Sequence, residues 1–316
     1  MEQRLFISVA SFCDPVLFFT LARACAQARW PERLHFGVID QSPASDRHPE
    51  PGDVAPGRLS CIVINPLQAR GPCWARALAM SLYDGEEWFF QIDSHMDFEP
   101  GWDARLLDQA RELQQTHPDS VISSYPHPFD LEAGQPVHRP TTSKVLAHVV
   151  RRDSQFAPDH AVLNFEAHPV EQEEPVQGFH LGAGCLLAPG HFVQRFPYDP
   201  YLYFHGEEQA LALRLFTHGW TIFHTPGLPV YHLYNSDPKT SPARPLHWDE
   251  AWDAQRAQRW WVLEQRSRRR LDALLKNDAA LGVYGLGASR TLADYAAHSG
   301  IDYGRRLITD RAYRHS

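Results

Sequence analysis

The sequence predicts an α/β fold, with strands running parallel in one sheet, helices on its faces and a ligand crevice beyond the strand ends. Two observations carry that prediction. The chain opens as β-loop-α-β, with apolar strand-like runs at 5–10 and 34–40 around a helical run at 16–29, the pattern of a parallel crossover. Further on, the aromatic run Trp88-Phe89-Phe90-Gln91-Ile92 passes directly into Asp93-Ser94-His95. Polar groups therefore arrive at the C-terminal edge of a strand, where open α/β sheets bind ligands.

Local chemistry sets the elements in order. The first strand gives way at 11–15 to a loop, and the helix over 16–29 ends at Trp30-Pro31 because a residue before proline is pushed out of the helical region. Residues 42–58, rich in Pro, Asp and Gly, read as a surface loop between the strand at 34–40 and a third strand at 59–64. A helix over 72–83 starts at Gly71-Pro72. The turn 96–103 leads to helical spacing at 104–110, then a short strand at 121–125 and a loop over 126–140. A strand at 144–150 and an acidic turn at 171–174 are the only signals in the ambiguous stretch 144–175. The small apolar run 182–188 suits an inner strand, or close approach of a ligand to bare backbone. Helical spacing returns at 207–218 and stops at Gly219. Strands at 220–224 and 230–234 follow around Pro226-Gly227, then a long Arg- and Trp-bearing helix over 248–275 and a mixed tail at 281–316.

Composition narrows the function. A chain of 316 residues with 43% hydrophobic content can bury a sizeable core. A net charge of -8, with 18 His counted as neutral, argues against a general nucleic-acid binder. Cys13, Cys25, Cys61, Cys73 and Cys185 are odd in number and lack a Cys-x-x-Cys, which fits free thiols in a reducing compartment. No signal-peptide core precedes the first strand and no apolar stretch reaches spanning length. A soluble cytoplasmic protein without a membrane or nucleic-acid partner is expected.

Residues two apart on a strand point the same way, so Asp93 and His95 offer a carboxylate oxygen and an imidazole nitrogen together. That pair suits Mn²⁺, or Mg²⁺, carrying a diphosphate. Read without its context, a lone Asp-x-His is ordinary, since many histidines only satisfy local hydrogen bonds. Gly285-Leu286-Gly287-Ala288-Ser289-Arg290 lacks the third glycine and the βαβ unit of a dinucleotide loop, which excludes a dehydrogenase. The cluster Arg266-Ser267-Arg268-Arg269-Arg270 reads as a solvated helix face or as a seat for an acidic protein partner.

Three blocks carry a resemblance: Phe6-Ile7-Ser8-Val9-Ala10-Ser11-Phe12-Cys13-Asp14-Pro15, Gln91-Ile92-Asp93-Ser94-His95-Met96-Asp97-Phe98, and Phe204-His205-Gly206-Glu207-Glu208 running to Thr217-His218-Gly219-Trp220. Together with the tail from Tyr284 to Asp302 they resemble the glycosyltransferases that add N-acetylglucosamine to hydroxyproline in a cytoplasmic ubiquitin-ligase subunit, and their bacterial relatives. The second and third blocks are more distantly similar to the polypeptide N-acetylgalactosaminyltransferases. The resemblance implies a GT-A fold, a Rossmann-like mixed sheet flanked by helices, with the catalytic domain at 1–240 and a helical extension packed on it at 241–316. It implies a retaining enzyme that uses UDP-GlcNAc, or a similar UDP-sugar, and a hydroxyl acceptor on a protein. Carried over by motif, the metal ligands are Asp93, His95 and His232. The first block departs from the family in having Phe12-Cys13 where Tyr-Arg is usual, which removes a basic group near the nucleotide.

Other residues have a functional and an ordinary reading side by side. Ser11 and Asp14 would meet the uridine, while Asp14-Pro15 is also a good helix start. Arg70 and Arg76 would face the diphosphate or the uracil, or be solvated helix charges. Glu207 would bind donor-sugar hydroxyls together with Asp93. Glu208 would orient the acceptor hydroxyl or support the oxocarbenium-like centre, although acids at a helix start also serve its dipole. Gly182 and Gly184 would let the sugar lie on bare backbone, or would pack an inner strand. Two other classes stay open: a GT-A module that binds a nucleotide-sugar or a protein without chemistry, and a UDP-sugar hydrolase.

Overall fold

The structure, a computed structural model, describes residues 3–139, 145–234 and 242–314. The opening forms as β1 (Leu5–Phe12), α1 (Leu17–Gln27), β2 (Leu34–Gln41), β3 (Arg58–Val63) and α2 (Pro72–Met80). Next come β4 (Trp88–Asp93), β5 (Met96–Phe98), α3 (Trp102–Thr116) and β6 (Ser120–Ile122). The middle of the chain adds β7 (His127–Glu132), β8 (Gln135–His138), β9 (Val145–Val150), β10 (Phe165–Val170), β11 (Val176–Gly178), β12 (Cys185–Pro189) and the short α4 (Phe192–Arg195). After these lie α5 (Glu207–Thr217), β13 (Thr221–His224), β14 (Val230–His232), α6 (Glu250–Asp253), α7 (Trp260–Leu275) and α8 (Leu292–Ser299).

Eight strands make the main sheet, in the order β11-β13-β6-β12-β4-β1-β2-β3. The half built from β4, β1, β2 and β3 is parallel, as the crossover pattern requires, whereas β12 runs antiparallel to both β4 and β6. The sheet is therefore mixed. Both of its faces are apolar: Leu5, Ile7, Val9, Phe36 and Phe90 pack under α1 and α3, while Phe6, Phe89 and Leu186 face the cluster that holds α5. A second sheet, β5-β14-β7-β8, crosses the end of the first.

The loop expected over 126–140 is instead the hairpin β7–β8. Its turn, Ala133-Gly134, has positive φ at both residues, 50° and 78°, the backbone of a two-residue hairpin. Its strands carry Pro, His and Gln, so no apolar alternation announced them. The long helix expected over 248–275 is broken in two. Arg256 turns inward, nearly buried, and donates to Pro66 O, and the Asp253 carboxylate accepts from Trp260 N at 2.6 Å, which starts α7 afresh.

Residues of the C-terminal segment, among them Leu271, Leu274, Leu281, Tyr295 and Ile301, belong to the same apolar cluster as Phe6 and Phe89. The carboxyl end of α5 is finished by chain far downstream. Ser289 N and Arg290 N donate to Thr217 O at 2.9 and 3.2 Å, and the Arg290 guanidinium donates to Trp220 O and Gly219 O, both at 3.0 Å. These groups satisfy carbonyls that a helix end leaves open. Among the described residues no helix is long and apolar enough to cross a membrane, and the five cysteines are free.

Candidate active site

Strand pairing assembles the site. Asp93 is the last residue of β4, and His95 lies in the turn between β4 and β5. The Thr20 hydroxyl of α1 anchors that turn, donating to Ser94 O and accepting from Met96 N, both at 2.9 Å. Antiparallel pairing of β5 with β14 sets His232 opposite Met96, so a residue 139 positions from Asp93 arrives beside it.

One ligand atom each from Asp93, His95 and His232 lies within 4.8 Å of the others. His232 Nε2 stands 3.3 Å from Asp93 Oδ2, and the two imidazole rings are 4.7 Å apart at their centroids. The His232 Nδ1 atom is buried and, among the described residues, has no hydrogen-bond partner. Burial pushes the His232 imidazole down to about 4, with Asp93 opposing, so it is neutral and able to ligate at pH 7. Burial alone would raise the Asp93 carboxyl, but the His232 hydrogen bond and the charges of Arg76 and His95 outweigh it and hold it well below the usual carboxylate range. One carboxylate and two imidazoles fit a divalent ion with open coordination positions. Two nitrogen donors suit a transition ion such as Mn²⁺ better than oxygen-seeking Mg²⁺.

Supporting contacts orient each of the three. Asp14 Oδ2 accepts from His95 Nδ1 at 2.7 Å and from the Ser94 hydroxyl at 2.6 Å, while its Oδ1 accepts from Val16 N at 2.8 Å. Engaging Nδ1 leaves His95 Nε2 as the atom available to an ion. Although burial raises the Asp14 carboxyl, these bonds win and its pKa is lowered. Arg76 is nearly buried and bridges two acids, donating to Asp93 Oδ1 at 3.0 Å and Glu207 Oε1 at 2.6 Å. Asp93 Oδ2 is thereby left to the histidines. The Cys73 thiol, one helical turn before Arg76, donates to Glu207 Oε2 at 2.8 Å. Burial raises the Glu207 carboxyl, with Arg76 opposing and Glu208 adding to the rise.

These groups line a cavity of about 370 Å³, a size suited to a small ligand. Asp14, Arg76, Asp93, His95, His232, Gly184, Glu207 and Glu208 line it together with the aromatic and basic groups of Phe12, Phe204, Tyr234, Arg244, His247 and Trp248. Glu208 Oε1 accepts from Ala183 N at 2.7 Å. A Cβ at Gly184 would collide with the Asp93 carboxylate, so only glycine leaves that acid room.

Comparison with known proteins places the chain in a family and identifies its fold. Residues 52–305 match a family model described as Glycosyltransferase (GlcNAc). The chain belongs to that glycosyltransferase family. A solved structure described as GalNAc-T7 with UDP, GalNAc and Mn²⁺ is similar in fold, with a TM-score of 0.55 at 13% identity, over 94% of this chain and 55% of that one. This chain thus spans about half the length of that protein. The fold of the glycosyltransferase is accordingly GT-A, its mixed sheet flanked by helices. A search of curated proteins finds no match to the sequence.

Not every residue expected at the glycosyltransferase cavity lines it. Ser11 is fully buried beside β2, its main-chain oxygen accepting from the Gln41 side chain at 3.0 Å. Gly182 packs on His148, whose ring lies 2.7 Å from where a Cβ would stand. Arg70 is exposed and stacks over Trp74 in a separate groove. Arg76 does face the cavity, yet its contacts are with acids of the protein. The stretch Arg244–Trp248 went unnoticed in the sequence because it is loop without periodicity. Its only signal is the close grouping of Arg244, His247 and Trp248. Arg244 donates to Leu233 O at 2.6 Å, and although burial lowers its pKa, the nearby acids Asp14 and Asp93 oppose the shift.

Proposed function

We propose that the protein moves N-acetylglucosamine, or a related hexose, from a UDP-sugar to a hydroxyl group on a protein, with Asp93, His95 and His232 holding Mn²⁺ or Mg²⁺. The convergence of those three donors at the C-terminal edge of β4, in a chain of this family, carries the reading. A divalent ion supplies Lewis-acid neutralisation of the charge that develops on a departing diphosphate.

The protein's own groups do the rest. Asp14 fixes the His95 tautomer, Arg76 fixes the Asp93 rotamer, and Arg244 presents positive charge to the phosphates from the cavity wall. Glu207, held from two sides, keeps lone pairs for donor-sugar hydroxyls, which Asp93 also meets. Glu208 stands where it can orient the acceptor hydroxyl. Gly184 brings bare backbone to the sugar, and the aromatic wall excludes water. No carboxylate is assigned as nucleophile, so attack comes from the front face with retention, and the leaving phosphate takes the acceptor proton.

The likeness of the sequence to hydroxyproline-directed enzymes supports a protein acceptor, and the free thiols support the cytoplasm. We divide the chain into a catalytic domain, 1–240, and a helical extension, 241–316; that boundary lies outside the described residues. The test is release of UDP from UDP-GlcNAc with Mn²⁺ present. Asp93→Ala should abolish it while leaving the circular-dichroism spectrum intact. Normal turnover in that variant would refute the reading.

A further inference from the structure

A second concavity, of about 570 Å³, opens beside the sugar cavity. Four arginines, Arg70, Arg266, Arg269 and Arg270, line it together with Trp74 and Tyr201, and among the described residues no carboxylate does. This is notable in a chain whose net charge is -8. Positions 266, 269 and 270 fall within about one turn of α7, so their side chains share a helix face. Like charges at these spacings repel and destabilise a helix.

Two of the α7 arginines, Arg270 of the groove among them, are matched within the chain. Arg268 meets Glu264 at 3.4 Å and Asp159 at 3.7 Å, and Arg270 donates to Asp199 at 2.7 Å while stacking over Tyr201. Arg70, Arg266 and Arg269 are exposed and, among the described residues, have no carboxylate within salt-bridge distance. Tyr201 is 67% exposed beside them. Arg70 lies over Trp74, which keeps its guanidinium at the rim. The groove thus combines uncompensated guanidinium groups with aromatic faces.

Its position links it to the sugar cavity. Gly71 and Phe204 line that cavity, while their chain neighbours Arg70 and Tyr203 line the groove. The partition is thin: a Cβ at Gly71 would stand 2.6 Å from Tyr203, and the Tyr203 hydroxyl is 2.6 Å from His247, a wall residue of the cavity.

We propose that this groove docks an acidic segment of the acceptor polypeptide and so directs a neighbouring hydroxyl to the sugar cavity. The proposal rests on the transferase reading above and deepens it by naming the acceptor's chemistry. Charge complementarity selects the occupant. Guanidinium forks pair bidentately with Asp and Glu side chains, and the short span with its aromatic faces suits a polypeptide. A long nucleic acid would meet the field of a chain that is acidic overall.

The experiment uses the full chain and a fluorescein-labelled twelve-residue peptide of Asp, Glu, Ser and Tyr, read by anisotropy. The control peptide has Asn and Gln in place of the acids, and a twelve-residue oligothymidylate is the competitor. The acidic peptide should bind at least ten-fold more tightly than the amide control, with affinity falling as salt rises. Arg266→Glu combined with Arg269→Glu should weaken it at least ten-fold while UDP release from UDP-GlcNAc and water stays unchanged. Equal binding of the two peptides, unaltered binding by the variant, or displacement by oligothymidylate at lower concentration than by unlabelled acidic peptide would overturn the proposal. UDP release is read separately. Its absence from the unaltered chain counts against the transferase reading, whereas selective peptide binding still supports an acidic partner in the groove.

Discussion

Replacing Arg76 by methionine removes the one cation that, among the described residues, touches both Asp93 and Glu207, while keeping most of the side-chain volume. The two acids do not suffer equally. Asp93 retains its bond to His232 and is partly solvent-exposed, whereas Glu207 is 4% exposed and keeps only the Cys73 thiol. The loss is therefore dominated by one buried carboxylate left without its partner, about 3–5 kcal/mol. At about 2 °C per kcal/mol, the lower end for large domains, this predicts a fall in Tm of roughly 6–10 °C. Differential scanning calorimetry of the metal-free protein reads it directly. Adding Glu207→Gln to the variant should restore more than half of the loss, since a neutral amide needs no cation. A fall below about 2 °C, or no recovery in the double variant, would refute the view that Arg76 is a buried clamp on the two acids.

Two further outcomes follow from the same contacts. Asp14→Asn exchanges the acceptor on His95 Nδ1 for a weaker one. Titration calorimetry with Mn²⁺ should then show affinity reduced about 10–100-fold with the fold intact. His148 and His180 are both lowered below the usual histidine range by burial. Above about pH 6.5 they are neutral whether folded or not and contribute no pH dependence. Below that value the unfolded chain takes up protons that the folded chain refuses, so stability falls as pH falls, approaching about 1.4 kcal/mol per pH unit for each residue. Urea unfolding between pH 7 and pH 5 should show this decline, and a shallower one in His148→Gln.

The parallel core was legible because its chemistry is local and repetitive. Apolar runs at β1, β2 and β4 could be nothing but buried strands, and Asp93 with His95 announced a strand edge two residues apart. His232 could be reached only through family likeness, since its place depends on the pairing of β5 with β14 across more than a hundred residues. The hairpin β7–β8 was hidden because its polar strands are fixed by an Ala-Gly turn and by the second sheet. Arg76 was read as facing the diphosphate or uracil, or as a solvated helix charge, and neither reading included its place between two acids. A helix position shows which way a guanidinium points, whereas the acids that receive it come from β4 and α5. The wall from Arg244 to Trp248 had no periodicity to betray it, and Ser11 and Gly182 were placed by proximity in sequence, although Ser11 is buried within β1 and Gly182 packs on His148.

Because Thr217 is sealed by backbone some seventy positions later, the order of synthesis matters for α5. A nascent chain that has just released His232 already owns every proposed ligand of the ion, yet the far end of the rod carrying Glu207 and Glu208 still has bare carbonyls. Ion capture can therefore precede the firm seating of the acids on the sugar side, which waits on the stretch 287–290.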